Sequence, residues 1–263
     1  MSKKIKSFLF CTILAILLSF PMAADERSEN IDIYIILDKS LSMEEEISAV
    51  VEYVNTSILD QLLIPGDFLV IIGFFGDTER IVSQDIKSKD DIEQIKKRIN
   101  TLKANGRFTD IGNALDILKK TLEDHKDRGR KEYLLLITDG IQEAPKTSKY
   151  YSPDGTFNHA FLENAKTIQK EGWKIQILGI GTASAAKEIA ATLAGEYTEV
   201  PENITAEELS EKTKDILGTI QLKEAPKLLS IGRSGVSEMT FKLASYGYVE
   251  RKNVYVDRVE FET

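Results

Sequence analysis

The chain reads as an α/β protein: a doubly wound, mostly parallel sheet with helices on both faces, followed by a short antiparallel β segment. Three observations predict this. Near-continuous apolar runs, "DIYIIL" (32–37), "FLVIIGFF" (68–75), "KEYLLLIT" (131–138) and "WKIQILGIG" (173–181), have the composition of strands buried on both sides. Segments with helical spacing separate most of them. After about residue 225 the pattern turns to alternation of apolar and polar residues with no helix between, in "KLLSIG", "MTFKLASYGYV" and "NVYVDRVEFE".

The elements follow in order. "EEEISAVVEYVNTSILDQLL" (44–63) has apolar residues at 47, 50, 51, 54, 58, 59 and 62, a helical spacing, and Pro65-Gly66 ends it. "RIVSQDI" (80–86) is an edge strand reached by a tight turn around Gly76-Asp77. Helices are expected over 89–102, 110–124, 158–172 and 184–195, the last closed by Gly195. "EYTEV" (196–200) is a short strand. Thr205 and Glu208 form a capping box for a helix running to about residue 219. The charge run "KDDIEQIKKR" reads as a solvated helix face, and Trp173 as a core residue at a strand start.

The 263 residues are enough for one full-sized domain with a small appendage. Residues 1–24 are set apart. Lys3, Lys4 and Lys6 precede the uncharged run "FLFCTILAILLSF" (8–20), and "PMAA" ends in small residues, the layout of a secretory signal peptide. The run is short for a membrane span, so an uncleaved amino-terminal anchor is the alternative. The expected location is periplasmic or extracellular, without membrane insertion once the leader is removed. Cys11 is the only cysteine, so the mature chain has no disulfide and no thiolate metal site. Removing the leader leaves 31 basic against 42 acidic residues, a net of −11, which makes nucleic acid and anionic membranes poor partners.

The first strand runs straight into Asp38, Ser40 and Ser42. Alternate residues past a strand end can converge above the sheet, and all three offer hard oxygen suited to magnesium, manganese or calcium. A plainer reading is a turn and helix cap, with Ser42 before "MEEE". Asp139, in "TDG" (138–140), follows another strand at its carboxyl end. Doubly wound sheets bind ligands at that rim. Thr109 sits in "NGRFTDIGNAL", a loop opening a helix.

These pieces, over about residues 30 to 220, resemble the von Willebrand factor type A domain and its metal-ion-dependent adhesion site. The family pattern is an apolar strand ending D-x-S-x-S, a threonine before a later helix, and T-D-G after a later strand. Met43 fits the usual continuation; Leu41 stands where members often carry glycine. The resemblance implies that Ser40, Ser42 and Thr109 bind an ion through oxygens, with Asp38 and Asp139 direct or through water. Two carboxylates neutralise one divalent ion, and hydroxyls add no charge, so the ion stays electrophilic toward an acidic residue of a protein partner. A structural calcium site would collect more carboxylates. The expected function is adhesion or assembly through protein binding.

Two rival readings stand beside it. A structural module could keep the site as a vestige or for stability alone. A magnesium-dependent phosphohydrolase is the other, since "IYIILDKS" is similar to the strand-end aspartate of haloacid-dehalogenase-like enzymes. Those require a second aspartate where Ser40 stands. No G-x-S-x-G and no phosphate loop is present. His125 reads as a solvated helix end and His159 as a helix start. Catalysis is therefore not expected. The loop 142–157 leaves the Asp139 strand end, and its Tyr150, Tyr151 and Phe157 could line a contact surface or simply pack the loop against itself.

Overall fold

The computed structural model describes residues 27, 29–125, 127–140, 142–153, 163, 165–168, 173–181, 184–214, 239–245 and 248–254. Six strands form one sheet: β1 (Ile31–Asp38), β2 (Phe68–Phe74), β3 (Thr78–Asp85), β4 (Lys131–Thr138), β5 (Lys174–Ile180) and β6 (Glu196–Val200). Their spatial order is β3-β2-β1-β4-β5-β6. β3 runs antiparallel to β2, and every other pairing is parallel. The chain goes one way from β1 to β3 and the other way from β4 to β6, so order reverses between β1 and β4. That reversal opens a crevice at the carboxyl ends of those two strands.

Alternate residues of the central strands face opposite layers. Ile33, Ile35 and Leu37 pack with Val50, Ile92, Ile95 and Leu209 from α1 (Ile47–Tyr53), α2 (Lys89–Ile99) and α5 (Ala206–Lys212). Tyr34 and Ile36 pack with Leu115, Leu118, Ile189 and Leu193, on or beside α3 (Ile111–Asp124) and α4 (Ser184–Thr192). Burial on both faces is why β1, β2 and β4 carry hydrophobic runs rather than alternation. The edge strand β3 has the mixed exposure that alternation would give. Beyond the main sheet, β7 (Met239–Ser245) and β8 (Tyr248–Val254) pair as an antiparallel hairpin, the short β segment expected there. The rest of that expected segment, the helix end past residue 214, His159, most of the expected 158–172 helix and the leader lie outside the described residues.

The first helix differs from its even periodicity. A 3₁₀ turn spans Leu41–Met43, α1 follows, and Val54–Asp60 widens into π-type turns. There Leu63 N reaches Ile58 O, five residues back, at 3.1 Å. Buried hydroxyls stitch this stretch to the last helix: Tyr53 Oη donates to Thr213 Oγ1 at 2.9 Å, and Ser57 and Ser210 hydroxyls are 3.1 Å apart. At the end of α4 the left-handed residue is Ala194 (φ +52°). Gly195 is required for another reason, since a Cβ there would lie 2.7 Å from Ile175 Cγ2.

Polar side chains close the amino end of the sheet. Asp67 accepts Ile31 N at 3.0 Å and Ile64 N at 2.9 Å, and pairs with Arg27. Asp32, 1% exposed, pairs with His125 Nε2 at 3.0 Å and Arg130 at 3.4 Å. His125 also stacks on Phe68 with ring centres 3.9 Å apart. The expectation of a solvated helix end is thus corrected: the imidazole is held by a carboxylate the sequence places 93 residues away. Trp173 stacks on Tyr34 at 5.5 Å and donates to Glu132, so its apolar body is core and its N–H is partnered. The chain enters the fold at this end, through Arg27 to Ile31. It returns there too, for Thr213 lines a small hollow with Ile33, Lys174 and Gln176 near the starts of β1 and β5.

Candidate functional site

The carboxyl-end rim is assembled from three loops. β1 and β4 are in register to Leu37–Ile137, so Asp38 and Asp139 emerge side by side. Asp38 is 1% exposed. Its Oδ1 accepts Ser40 N at 2.8 Å, and its Oδ2 accepts the Thr138 hydroxyl at 2.6 Å. Thr138 Oγ1 in turn accepts Gly140 N at 3.0 Å. Ser40 is buried and Ser42 exposed, with hydroxyls 3.0 Å apart. Ser42 lies inside the 3₁₀ turn, while α1 begins only at Ile47, so Ser42 caps no helix.

The second loop crosses the first. Gly106 N donates to Lys39 O at 3.1 Å, and Leu41 N to Gly106 O at 2.8 Å. This closeness requires glycine: a Cβ at 106 would sit 2.2 Å from the Phe75 ring. Three residues on, Thr109 exchanges two backbone hydrogen bonds with Glu143, each 2.8 Å, which ties the second loop to the third. Asp110 caps α3 by accepting Asn113 N at 3.0 Å. Gln142 clamps the same corner, its Oε1 accepting Ile111 N at 2.8 Å and its Nε2 donating to Asp110 at 3.3 Å. Asp38, Ser40, Ser42, Thr109 and Asp139 therefore share one rim.

The electrostatics of this rim are unbalanced. Burial, and after it the charge of Asp139, push the Asp38 carboxyl up to about 7, against hydrogen bonds from Ser40 and Thr138 that act the other way. Asp139 Oδ1 is buried without a hydrogen-bond partner. Among the described residues no ion pair involves either acid. The nearest cation in sequence, Lys39, turns away to pair with Glu79, with its ammonium 5.6 Å from the Phe75 ring centre. Among the described residues no three His, Cys, Asp or Glu side chains form a ligand cluster. The donors on this rim are two acids and otherwise hydroxyls, a hard-oxygen set that fits magnesium, manganese or calcium rather than zinc or copper. An orphaned carboxylate oxygen beside a second acid fits a divalent cation directly.

Two residues that matter here were not singled out by the sequence. Thr138 stood in the "TDG" motif, where only Asp139 was given a role. Gln142 gave no signal, because a glutamine in a polar loop looks like solvent surface. Tyr150 requires a correction: it is 3% exposed, lies against Gly112, and donates from Oη to Asp116 at 2.9 Å. It packs the loop and does not line a contact surface. Tyr151 is half-buried, and Phe157 lies outside the described residues.

Known proteins share this fold. Residues 33–142 match the family model of the von Willebrand factor type A domain. A Treponema pallidum (strain Nichols) protein, itself uncharacterised, is 29% identical over 203 residues, covering 75% of this chain and 91% of its own length. The vWF domain of the type V pili tip protein Mfa5 from Porphyromonas gingivalis superposes with a TM-score of 0.54 at 12% identity, covering 77% of this chain and all of that one. A von Willebrand factor type A structure from Catenulispora acidiphila gives 0.53 at 18%, covering 72% of this chain and 43% of that one. The pilus adhesin SpaC from Lactobacillus rhamnosus GG gives 0.53 at 18%, covering 74% and 31%. At these identities the structural likeness is one of fold. Taken with the family match across β1 to β4, it shows what the sheet is similar to: the fold is that of von Willebrand factor type A domains, and residues 33–142 match that family's model.

Proposed function

We propose that this protein is exported and binds a protein partner through a divalent cation, magnesium first, held by Asp38, Ser40, Ser42, Thr109 and Asp139. The observation that carries the reading is the uncompensated acid pair, with Asp139 Oδ1 orphaned and Asp38 pushed up to about 7. A cation between them would relieve both. When bound, it would supply an electrophilic position for a carboxylate of the partner. The chain's own residues do the rest. Thr138 and Ser40 N orient Asp38; the Gly106 crossing sets Ser40 beside the Thr109 loop; Gln142 and the Glu143 backbone hold Thr109.

Binding rather than catalysis suits the residues on the page. Among the described residues the placed histidine, His125, is hydrogen-bonded to Asp32 at the far end of the sheet. The structural-module alternative has one observation in its favour: both Asp38 oxygens already accept hydrogen bonds, from Thr138 Oγ1 and Ser40 N, so the carboxyl is held in place without an ion. Export rests on the leader's layout. Among the described residues no helix is long and apolar enough to cross a membrane.

Calorimetric titration of magnesium, paired with a pull-down from the exported fraction in magnesium and in chelator, tests the proposal. Magnesium binding with chelator-sensitive capture of a partner is expected. Magnesium binding with chelator-insensitive capture would favour the structural module. Intact mass of natively exported protein should show the loss of residues 1 to about 24; a retained Met1 would support an amino-terminal membrane anchor.

A further inference from the structure

Among the described residues two large apolar side chains stand open to solvent, Leu41 at 56% and Phe108 at 39%. Both lie on the rim. Leu41 separates Ser40 from Ser42, and Phe108 immediately precedes Thr109. The Gly106 crossing joins the two loops that carry them. Scattered exposed apolar residues need no explanation, but both of these falling at the mouth of one site does.

Phe108 is also held in an unfavourable conformation, φ +70°, where a side chain with a Cβ rarely sits. Backbone hydrogen bonds on either side keep it there: Gly76 N to Arg107 O at 3.0 Å, Thr109 N to Glu143 O at 2.8 Å, and Asp110 N to Phe75 O at 2.9 Å. Glycine would fit that backbone more easily, yet an aromatic ring stands there. Leu41 likewise occupies a position where glycine would suffice for the turn. Over the Phe108 ring lies the exposed guanidinium of Arg107, 5.8 Å from its centre, a local positive charge in a chain of net −8.

The geometry points to Leu41 and Phe108 as specificity-determining residues. They select a partner segment whose cation-seeking Asp or Glu is flanked by an apolar side chain, which settles on the leucine and the phenylalanine. Arg107 favours acidic character around that segment. This inference rests on the proposed cation site, because the partner's carboxylate sets the register in which its neighbour meets these two side chains.

A peptide array with a fixed central Glu and systematically varied neighbours, overlaid with the full chain in magnesium or in chelator, is the test. Controls carry Gln in place of Glu. Protein variants are Leu41→Gln, Phe108→Asn (asparagine accepts the left-handed backbone) and Ser42→Ala. Wild type should retain peptides with apolar neighbours about tenfold more strongly than those with glycine neighbours, the effect of one buried apolar group. Leu41→Gln and Phe108→Asn should flatten that preference while Glu and magnesium dependence persist. Ser42→Ala should weaken all Glu peptides alike. Dependence on Glu and magnesium without any preference for apolar neighbours would overturn the inference and leave the cation reading standing. Loss of Glu and magnesium dependence in wild type would overturn both. Retention of apolar peptides irrespective of Glu would mark the patch as a site for another apolar surface, such as a second copy, and would also overturn the inference.

Discussion

β1 carries one buried aspartate next to its start and another at its end, and the two ends are built on opposite plans. Asp32 and Asp38 are each 1% exposed and lie on the same face of the sheet. At the amino end, Arg130 and His125 converge on Asp32, and Arg27 on its neighbour Asp67. At the carboxyl end, Asp38 meets a hydroxyl, an amide and a second acid, and the adjacent lysine points elsewhere. A buried charge must be paired or neutralised. One end carries its cations within the chain. Among the described residues the other has no cation paired with its acids. The difference separates a structural pole from a candidate binding pole within a single strand.

The largest expected effect should come from breaking the structural pole. Asp32→Ala leaves Arg130 and His125 without their shared partner. It should cost roughly 2–4 kcal/mol, below the upper range for buried pairs because Arg130 is partly open to water. Urea denaturation in chelator measures it; a loss under about 0.5 kcal/mol would remove the distinction between the poles. Asp139→Ala at the binding pole should behave oppositely. Without metal, stability should stay level or rise slightly as repulsion on Asp38 is relieved, while magnesium affinity falls by at least about tenfold, the factor equivalent to about 1.4 kcal/mol. Thermal melts in chelator beside calorimetric titration separate the two effects. Global unfolding of this variant would make Asp139 structural.

A pH series sharpens the comparison further. The Asp38 carboxyl is raised from an ordinary 3.8 to about 7 in the fold, so the unfolded chain gives up its proton first. The stability this lends is complete below about pH 4. It is lost as pH rises toward 7, at a slope of at most about 1.4 kcal/mol per pH unit. Urea midpoints in chelator should show that decline, and Asp139→Asn should make it shallower. Saturating magnesium, which favours the ionised acid, should offset it. The smallest effect belongs to the strained rim. Phe108→Asn gives up some ring packing but relieves backbone strain of about 1 kcal/mol, so its stability should fall within about 1 kcal/mol of wild type. A loss above 2 kcal/mol would show that the ring is core.

The candidate binding pole was legible in the sequence because its residues cluster in short motifs at strand ends. Asp38, Ser40 and Ser42 span five positions, and "TDG" follows a run of apolar residues that could only be a buried strand. The structural pole was not legible. Asp32, Asp67, His125 and Arg130 are far apart in sequence, and in a chain with 29% charged residues each reads as surface. Asp32 did carry a signal: an acid one residue into a doubly buried strand requires a partner. The π-type turns at Val54–Asp60 left no mark either. The apolar spacing of that segment suits 3.6 residues per turn, and the widening arises where Ser57, Ile58 and Leu59 pack inward together. Tyr150 left both readings open because an aromatic in a loop looks the same whether it faces solvent or fits over a glycine.

Arg27 to Ile31 and Thr213 lie at the amino end of the sheet, while the candidate binding rim lies at the other end. Any tension between a captured partner and whatever holds the chain's start would therefore run parallel to the strands. β1, which carries Asp38 at one tip and the chain's entry at the other, is paired along its length with both β2 and β4. A pull along β1 loads those two ladders in shear, so that their hydrogen bonds resist together rather than parting one after another. The order of strands that creates the crevice also places a strand paired on both sides directly on that line.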